Sequence, residues 1–154
     1  SFQLGVHQQI RERVESLARD TALQGGPDEA ERHLRQFLQR DSRIELVYLV
    51  DANGVQVSEN LFAADLADQA RDSAKGRNWA SRSWFRQARD TGQCHTTPVY
   101  RSAATDAFCF TLAAPVVDAR GQLRYILGVD VRLSALLGQN SASEPNTFSR
   151  VAQA

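Results

Sequence analysis

The sequence predicts one α+β domain, an antiparallel sheet with helices packed against it. Three observations lead there. Apolar residues near the N-terminus recur at helical spacing. From Ile44 onward the pattern changes to short runs dense in β-branched and aromatic residues, divided by glycine-bearing turns. The resulting order, two helices, two strands, a helical excursion and three more strands, suits an antiparallel sheet of five strands. With 154 residues, 42% of them hydrophobic, the chain suffices for one core and is short for two ordinary domains.

Val6, Ile10, Val14, Leu17 and Thr21 fall at intervals of four and three, with Arg11, Glu12, Arg13, Glu15 and Arg19 on other faces. This spacing predicts a long amphipathic helix that stops at Gly25-Gly26. Pro27-Asp28-Glu29 opens a second helix, which carries Leu34, Phe37 and Leu38 inward and ends near Arg40. Ile44 to Val50 is too short for a helix and reads as a strand buried on both faces. Asp51-Ala52-Asn53-Gly54 is a turn, and Val55 to Ser58 alternates, so a hairpin is expected. Ala63 to Gly76 is polar and helix-compatible, and Arg77 to Ser83 is a connecting loop. A short helix is predicted from Trp84 to Asp90, with Ser83 as its N-cap and Thr91-Gly92 as its stop. Strands follow over Cys94–Tyr100, Ala107–Val116 and Gln122–Val131. The domain is expected to occupy residues 1–137. Residues 138–154, rich in Ser, Asn and Gly, are expected to form a mobile tail.

Eighteen basic residues balance eighteen acidic ones, so no global field draws the chain to nucleic acid or anionic lipid. No apolar stretch approaches the roughly 18 residues of a membrane span, and no signal-peptide pattern is present. The sequence lacks methionine and opens in mid-pattern, which leads to the expectation of a piece of a longer chain. Cys94-His95 lacks the earlier cysteine of a haem attachment motif, because Thr91 stands in its place. No nucleophile elbow, metal-helix pair or phosphate loop accompanies the three histidines, so no catalytic residue, metal site or cofactor is expected.

Four segments occur in a fixed order: Arg82-Ser83-Trp84-Phe85; Pro98-Val99-Tyr100-Arg101-Ser102 with Thr105; Phe110 to Val116; and Gly128-Val129-Asp130-Val131. With the long first helix and the Asp51-Ala52-Asn53-Gly54 turn, this ordered set resembles a Cache domain, over nearly everything from Ser1 to Leu137. Cache domains are similar to PAS domains. The resemblance implies a PAS-like five-stranded antiparallel sheet in an extracytoplasmic sensor, joined through membrane helices to a cytoplasmic output domain. The strands suffice for one Cache module. In amino-acid-binding members an R-x-W-Y segment, a later Y-x-D segment and an aspartate on the final strand hold the ligand. Arg82, Trp84, Tyr100 and Asp130 match that pattern. Phe85 stands where tyrosine is usual and Ser102 where the first aspartate is usual, which departs from a standard α-amino-acid site.

Each of these residues has two readings. Arg82 offers a planar fork of donors to a carboxylate, or is a surface arginine. It converges with Trp84 only if the helix begins at or after Trp84. Trp84 walls a pocket or belongs to the core, and Trp79 is read as core. The Tyr100 hydroxyl meets a ligand or water. Asp130 lies in an apolar run, where an unpaired carboxylate is costly. Its partner is a ligand ammonium or an arginine, unless it caps a helix starting near Arg132. For the cysteines, a register with Tyr100 near Ala107 sets Cys109 opposite Pro98, about 13 Å along the strand from Cys94. Bridged α-carbons lie within about 7 Å. Two free thiols on one sheet face are predicted, unless a bulge shifts the pairing.

The functional expectation is a periplasmic sensor domain of an inner-membrane receptor that binds a small polar metabolite, such as a carboxylate or an amine. It is expected to pair as a homodimer through the first helix, although that helix's apolar face suits its own sheet equally. The rival readings are a dimerisation module that binds nothing, and a cytoplasmic PAS-like sensor of haem or flavin.

Overall fold

A computed structural model describes residues 2–69 and 71–137; the predicted tail lies outside the described residues. Helix α1 spans Phe2–Ala18 and α2 spans Pro27–Arg40, with a 3-10 turn at Thr21–Gln24 between them. Strand β1 covers Ile44–Asp51 and β2 covers Leu61–Phe62. Helix α3 is Ser83–Thr91, followed by β3 at His95–Thr96, β4 at Tyr100–Arg101, β5 at Phe108–Val117 and β6 at Leu123–Arg132. The sheet runs β2-β1-β6-β5-β3, with β4 also on β5, and every pairing is antiparallel. Since β3 and β4 follow one another along the same neighbour, six segments fill five lanes.

Strand alternation divides the sheet into two dissimilar faces. Val47, Leu49, Leu112, Leu127 and Val129 point to one face, where they meet Val6, Ile10, Val14 and Leu17 of α1 and Leu34 and Phe37 of α2. The apolar stripe of α1 is therefore spent on its own sheet. Asp41, just past α2, locks this layer in place: its carboxylate takes two bonds from the Arg43 guanidinium, at 2.8 and 2.7 Å, and faces Arg13 of α1 at 3.2 Å. The second face carries Leu46, Tyr48, Val50, Ala113 and Ile126, covered by Phe85 and Ala88 of α3.

Four local expectations are corrected. Val55 to Ser58 returns antiparallel along β1 through a single bridge, Val50 to Gln56, with Val57 donating to the Leu49 carbonyl at 2.9 Å, but does not extend into a strand. The turn forms, with Asp51 donating to the Val55 carbonyl at 2.8 Å, but Gln56 then bonds back to the Arg77–Asn78 segment and β2 is displaced to Leu61–Phe62. Among the described residues of Ala63 to Gly76 the helical content is a single 3-10 turn at Ala64–Leu66. Ser83 is the first helical residue of α3, and Arg82, in extended backbone, occupies the N-cap with no side-chain cap. The predicted strand over Cys94–Tyr100 is divided, because Pro98 has no N–H to give the ladder.

That division carries a register change. Thr96 pairs with Leu112 and Tyr100 with Cys109, so four steps on one strand (100 − 96) oppose three on the other (112 − 109). One extra residue is a bulge, and it turns the following side chains to the other face. Cys94 therefore packs among the helix-side core and Cys109 on the opposite face, which corrects the expectation that both share one. Both are free thiols.

Candidate functional site

Helix α3 covers only part of the second face. Beside it, the 77–84 segment and the 97–104 segment rise on either side and leave a cavity of about 440 Å³ above Leu46, Tyr48 and Asp130. This is the range of small-metabolite sites. The 77–80 segment is pinned to the first turn. Trp79 N–H donates to the Gly54 carbonyl at 2.7 Å, and a Cβ on Gly54 would lie 2.8 Å from Ala80, so only glycine permits that approach at its φ of +92°.

Of the predicted residues, Arg82, Trp84, Tyr100, Ser102 and Asp130 all line this cavity. Arg82 and Trp84 converge because the extended Arg82 precedes the helix, and the guanidinium carbon stands 5.6 Å from the Trp79 ring centre. Arg82 has no ion-pair partner among the described residues. Ser102 is buried, and its hydroxyl accepts from the Ala104 N–H at 3.1 Å, so it shapes the turn of the cavity rim. Phe85 is the exception among the proposed contacts. It is fully buried beneath α3 with Ala88, Ala113 and Ile126 and does not line the cavity, because one step along the helix turns its ring toward the sheet. Trp79, expected in the core, packs half-buried against the second-face cluster and also walls the cavity, its indole N–H donating to Gln56 Oε1 at 3.0 Å.

Asp130 neither caps a helix nor meets an arginine: it sits within β6, and no cation lies within ion-pair distance among the described residues. Its one hydrogen bond comes from the Thr111 hydroxyl at 2.8 Å. Thr111 has a single hydroxyl proton, so its contact with Tyr100 at 2.6 Å requires the tyrosine to donate. The relay runs from Tyr100 to Thr111 to Asp130 and leaves the second carboxylate oxygen of Asp130 with no donor among the described residues. Burial pushes the Asp130 carboxyl up to about 7, with the Thr111 bond opposing and the nearby Glu45 reinforcing. The floor of the cavity is thus rich in acceptors.

Three contributors escaped sequence reasoning. Tyr48 opposes Gly128 across the β1–β6 pair, where a Cβ would lie 2.3 Å from the ring, so Gly128 clears the space for the tyrosine. Gln56 is 1% exposed and holds the wall together, donating to Ser58 and Asn60 and accepting from Trp79. Glu45, 2% exposed, lies under the floor. The available signal for Gln56 and Glu45 was a polar side chain inside an otherwise apolar strand pattern.

No family model matches the chain. Over 113 residues it is 31% identical to a protein of Syntrophus aciditrophicus named citrate (Re)-synthase, covering 72% of this chain and 18% of that protein. Among solved structures, the ligand-binding domain of the Pseudomonas fluorescens chemoreceptor CtaA, in complex with L-isoleucine, superposes with a TM-score of 0.65. It is 23% identical, over 92% of this chain and 56% of that one. The ligand-binding domain of Pseudomonas aeruginosa PctB, in complex with L-glutamine, gives 0.61 at 22% identity, over 88% and 54%. The chain spans about a fifth of its curated relative and little more than half of these structures. The fold is that of the Cache-type extracellular sensor domains of chemoreceptors and histidine kinases. Within it, this chain carries one PAS-like module with the cavity above the β1–β6–β5 floor.

Proposed function

We propose that this chain is the extracytoplasmic sensor domain of a membrane receptor, and that its cavity binds a small polar metabolite. One observation carries the reading. Across aromatic walls formed by Tyr48, Trp79, Trp84 and Tyr100, the cavity sets a guanidinium without a carboxylate, Arg82, and a carboxylate without a cation, Asp130. Asp130, 3% exposed, is a buried carboxyl whose cost a cationic ligand group offsets, while Arg82 stands exposed at the cavity rim, its donors open to an incoming anion. A ligand carboxylate suits the Arg82 fork and an ammonium suits Asp130. L-Isoleucine and L-glutamine, held by the two chemoreceptor domains above, have both groups. No group in the cavity is assigned a catalytic role. Ser102 in place of a carboxylate sets this site apart from a standard α-amino-acid site.

A thermal-shift screen of amino acids, amines and carboxylates tests the proposal. The expected outcome is a reproducible rise in Tm for at least one compound, lost in Arg82→Ala and in Asp130→Ala. A flat screen across all three classes favours a dimerisation module that binds nothing.

The signal is proposed to pass to α1 through the divided strand. Arg11 of α1 donates to the Cys94 carbonyl at 2.5 Å and the Thr96 hydroxyl at 3.4 Å, on the same strand that continues to Tyr100. Closure on a ligand would then shift α1 by population shift between two states. The homodimer is proposed to use the exposed polar side of α1, around Gln8, Gln9 and Glu12, since the apolar side is buried. Sedimentation is expected to show dimers that ligand strengthens; a monomer at high concentration with and without ligand removes this part. A cytoplasmic output domain is proposed as the receiver of this signal in the receptor. No helix among the described residues is long and apolar enough to cross a membrane.

A further inference from the structure

Glu45 belongs to no part of the site predicted from sequence and does not line the cavity, yet a backbone irregularity sets its carboxylate directly beneath the floor, beside Asp130. Ile44 pairs with Val131 and Leu46 with Asp130, so Glu45 is the extra residue of a β-bulge on β1. Strict alternation would place residues 44 and 46 on one face. Instead Ile44 packs in the helix-side core and Leu46 on the cavity side, and Glu45 also turns to the cavity side. Bulges are a usual means of re-aiming a side chain at a site. The Glu45 carboxylate, the Cys109 sulfur and the Asp130 carboxylate lie within 4.8 Å of one another, all buried. An acidic cluster alone defines no site. Here a second observation points to a ligand: Asp130, 3% exposed, lines the cavity with one oxygen that takes no hydrogen bond among the described residues.

We propose that Glu45 and Asp130 together carry a single proton when the cavity is empty, and that a ligand's ammonium group, seated on Asp130, replaces that charge and releases the proton to solvent. The ammonium keeps its own protons, so the exchange is one positive charge for another. This deepens the sensing proposal by assigning the cation end of the ligand to Asp130 with Glu45 behind it, and by making affinity rise with pH through the neutral range. Like-charged carboxylates this close resist ionising together.

The groups facing the pair are few. From β1, Tyr48 approaches Asp130; from β5, Cys109 lies against Glu45; from β4, Tyr100 reaches Thr111. From the rim, Thr105 donates to Glu45 at 3.2 Å. Arg132, on β6, and its partner Asp65 act on Glu45 with opposite signs; both terminal nitrogens of Arg132 bond Asp65, one of them at 2.8 Å, while its buried Nε has no partner among the described residues. Arg77, Arg82 and Arg101 line the same cavity. Burial pushes Glu45 above its ordinary range, the bonds from Thr105 and Cys109 and the Arg132 charge opposing. Burial and the Asp130 charge push the Cys109 thiol up to about 12, which keeps it a neutral donor toward Glu45.

Carboxyl-selective carbon NMR of the ligand-free protein, titrated from about pH 4 to about pH 9, reads the pair directly. One of the two carboxylates is expected to titrate near neutrality. In Glu45→Gln the Asp130 titration is expected to fall by about one pH unit or more, since the neighbouring charge is gone. Titration of both groups below about pH 5 in the parent, or an Asp130 titration unmoved by Glu45→Gln, overturns the shared proton. Repeating the titration with excess ethylammonium chloride against sodium chloride tests the exchange. A move of the neutral-range titration to lower pH is expected, and none overturns the displacement. The first arm uses no ligand, so its failure is distinct from a flat metabolite screen.

Discussion

Asp130→Asn is expected to raise the stability of the folded domain above neutral pH while removing ligand binding. Asp130 is 3% exposed, within β6, with no cation among the described residues to compensate its charge. Its folded-state value is raised to about 7 from an ordinary 3.8. The folded state therefore holds a proton that the unfolded state has lost between those values, and the stabilisation tied to it fades as pH rises from about 4 to about 7. Above neutrality the folded protein carries the full cost of the buried anion, up to about 4 kcal/mol. Asparagine keeps an oxygen to accept from Thr111 and has no charge to bury. In urea denaturation the advantage of the variant should be near zero at about pH 4, grow through neutrality and level off near pH 8. A variant less stable than the parent at about pH 8 would show that the anion is compensated in the parent. Such an exchange of stability for function is common at binding sites.

Phe85→Ala is the second large effect, of opposite sign. The Phe85 ring is fully buried between α3 and the sheet, edge-on to Trp84 at 6.3 Å between ring centres. Its neighbours Ala88 and Ala113 are too small to close a void. The loss should be about 3–5 kcal/mol and the fall in Tm roughly 10 °C. Trp84 rests on this ring, so the cavity wall should loosen and any ligand identified by the screen should bind more weakly. A Tm within about 2 °C of the parent would mean that the site collapses without a void.

These two effects arise where sequence reasoning succeeded only in part. Helices α1 and α2 were legible because Val6, Ile10 and Val14, then Leu34, Phe37 and Leu38, keep a helical period against charged faces. Strands β1, β5 and β6 were legible because each is a dense apolar run long enough to cross the domain. Among the cavity residues, Arg82, Trp84, Tyr100, Ser102 and Asp130 came from an ordered family resemblance; their spacing alone left each with a surface or core alternative. The misplacements trace to single-residue events. The bulge after Thr96 sends Cys94 and Tyr100 to opposite faces, and the bulge at Glu45 brings in a carboxylate that strict alternation on β1 hides. A bulge shifts every later side chain by one position without altering composition. Trp79 was read as core because a large aromatic beside a sheet usually is; its indole bond to Gln56, itself absent from the predicted site, holds it at the wall. The hairpin at Asn53-Gly54 was right in its turn and in its return, which bridges Val50 to Gln56, but the return stops short of a strand, as Gln56 also bonds to the incoming 77–78 segment.

The chain holds two tryptophans, Trp79 and Trp84, and both line the cavity. Their rings lie 5.9 Å apart, so whatever enters between the 77–84 segment and the floor must alter their surroundings. Titration of intrinsic tryptophan fluorescence with amino acids, amines and carboxylates therefore reports on this cavity alone. The account predicts a saturable change in emission for at least one compound, lost in Arg82→Ala and in Asp130→Ala. Saturable binding by calorimetry with emission unchanged would place the ligand elsewhere and contradict the account.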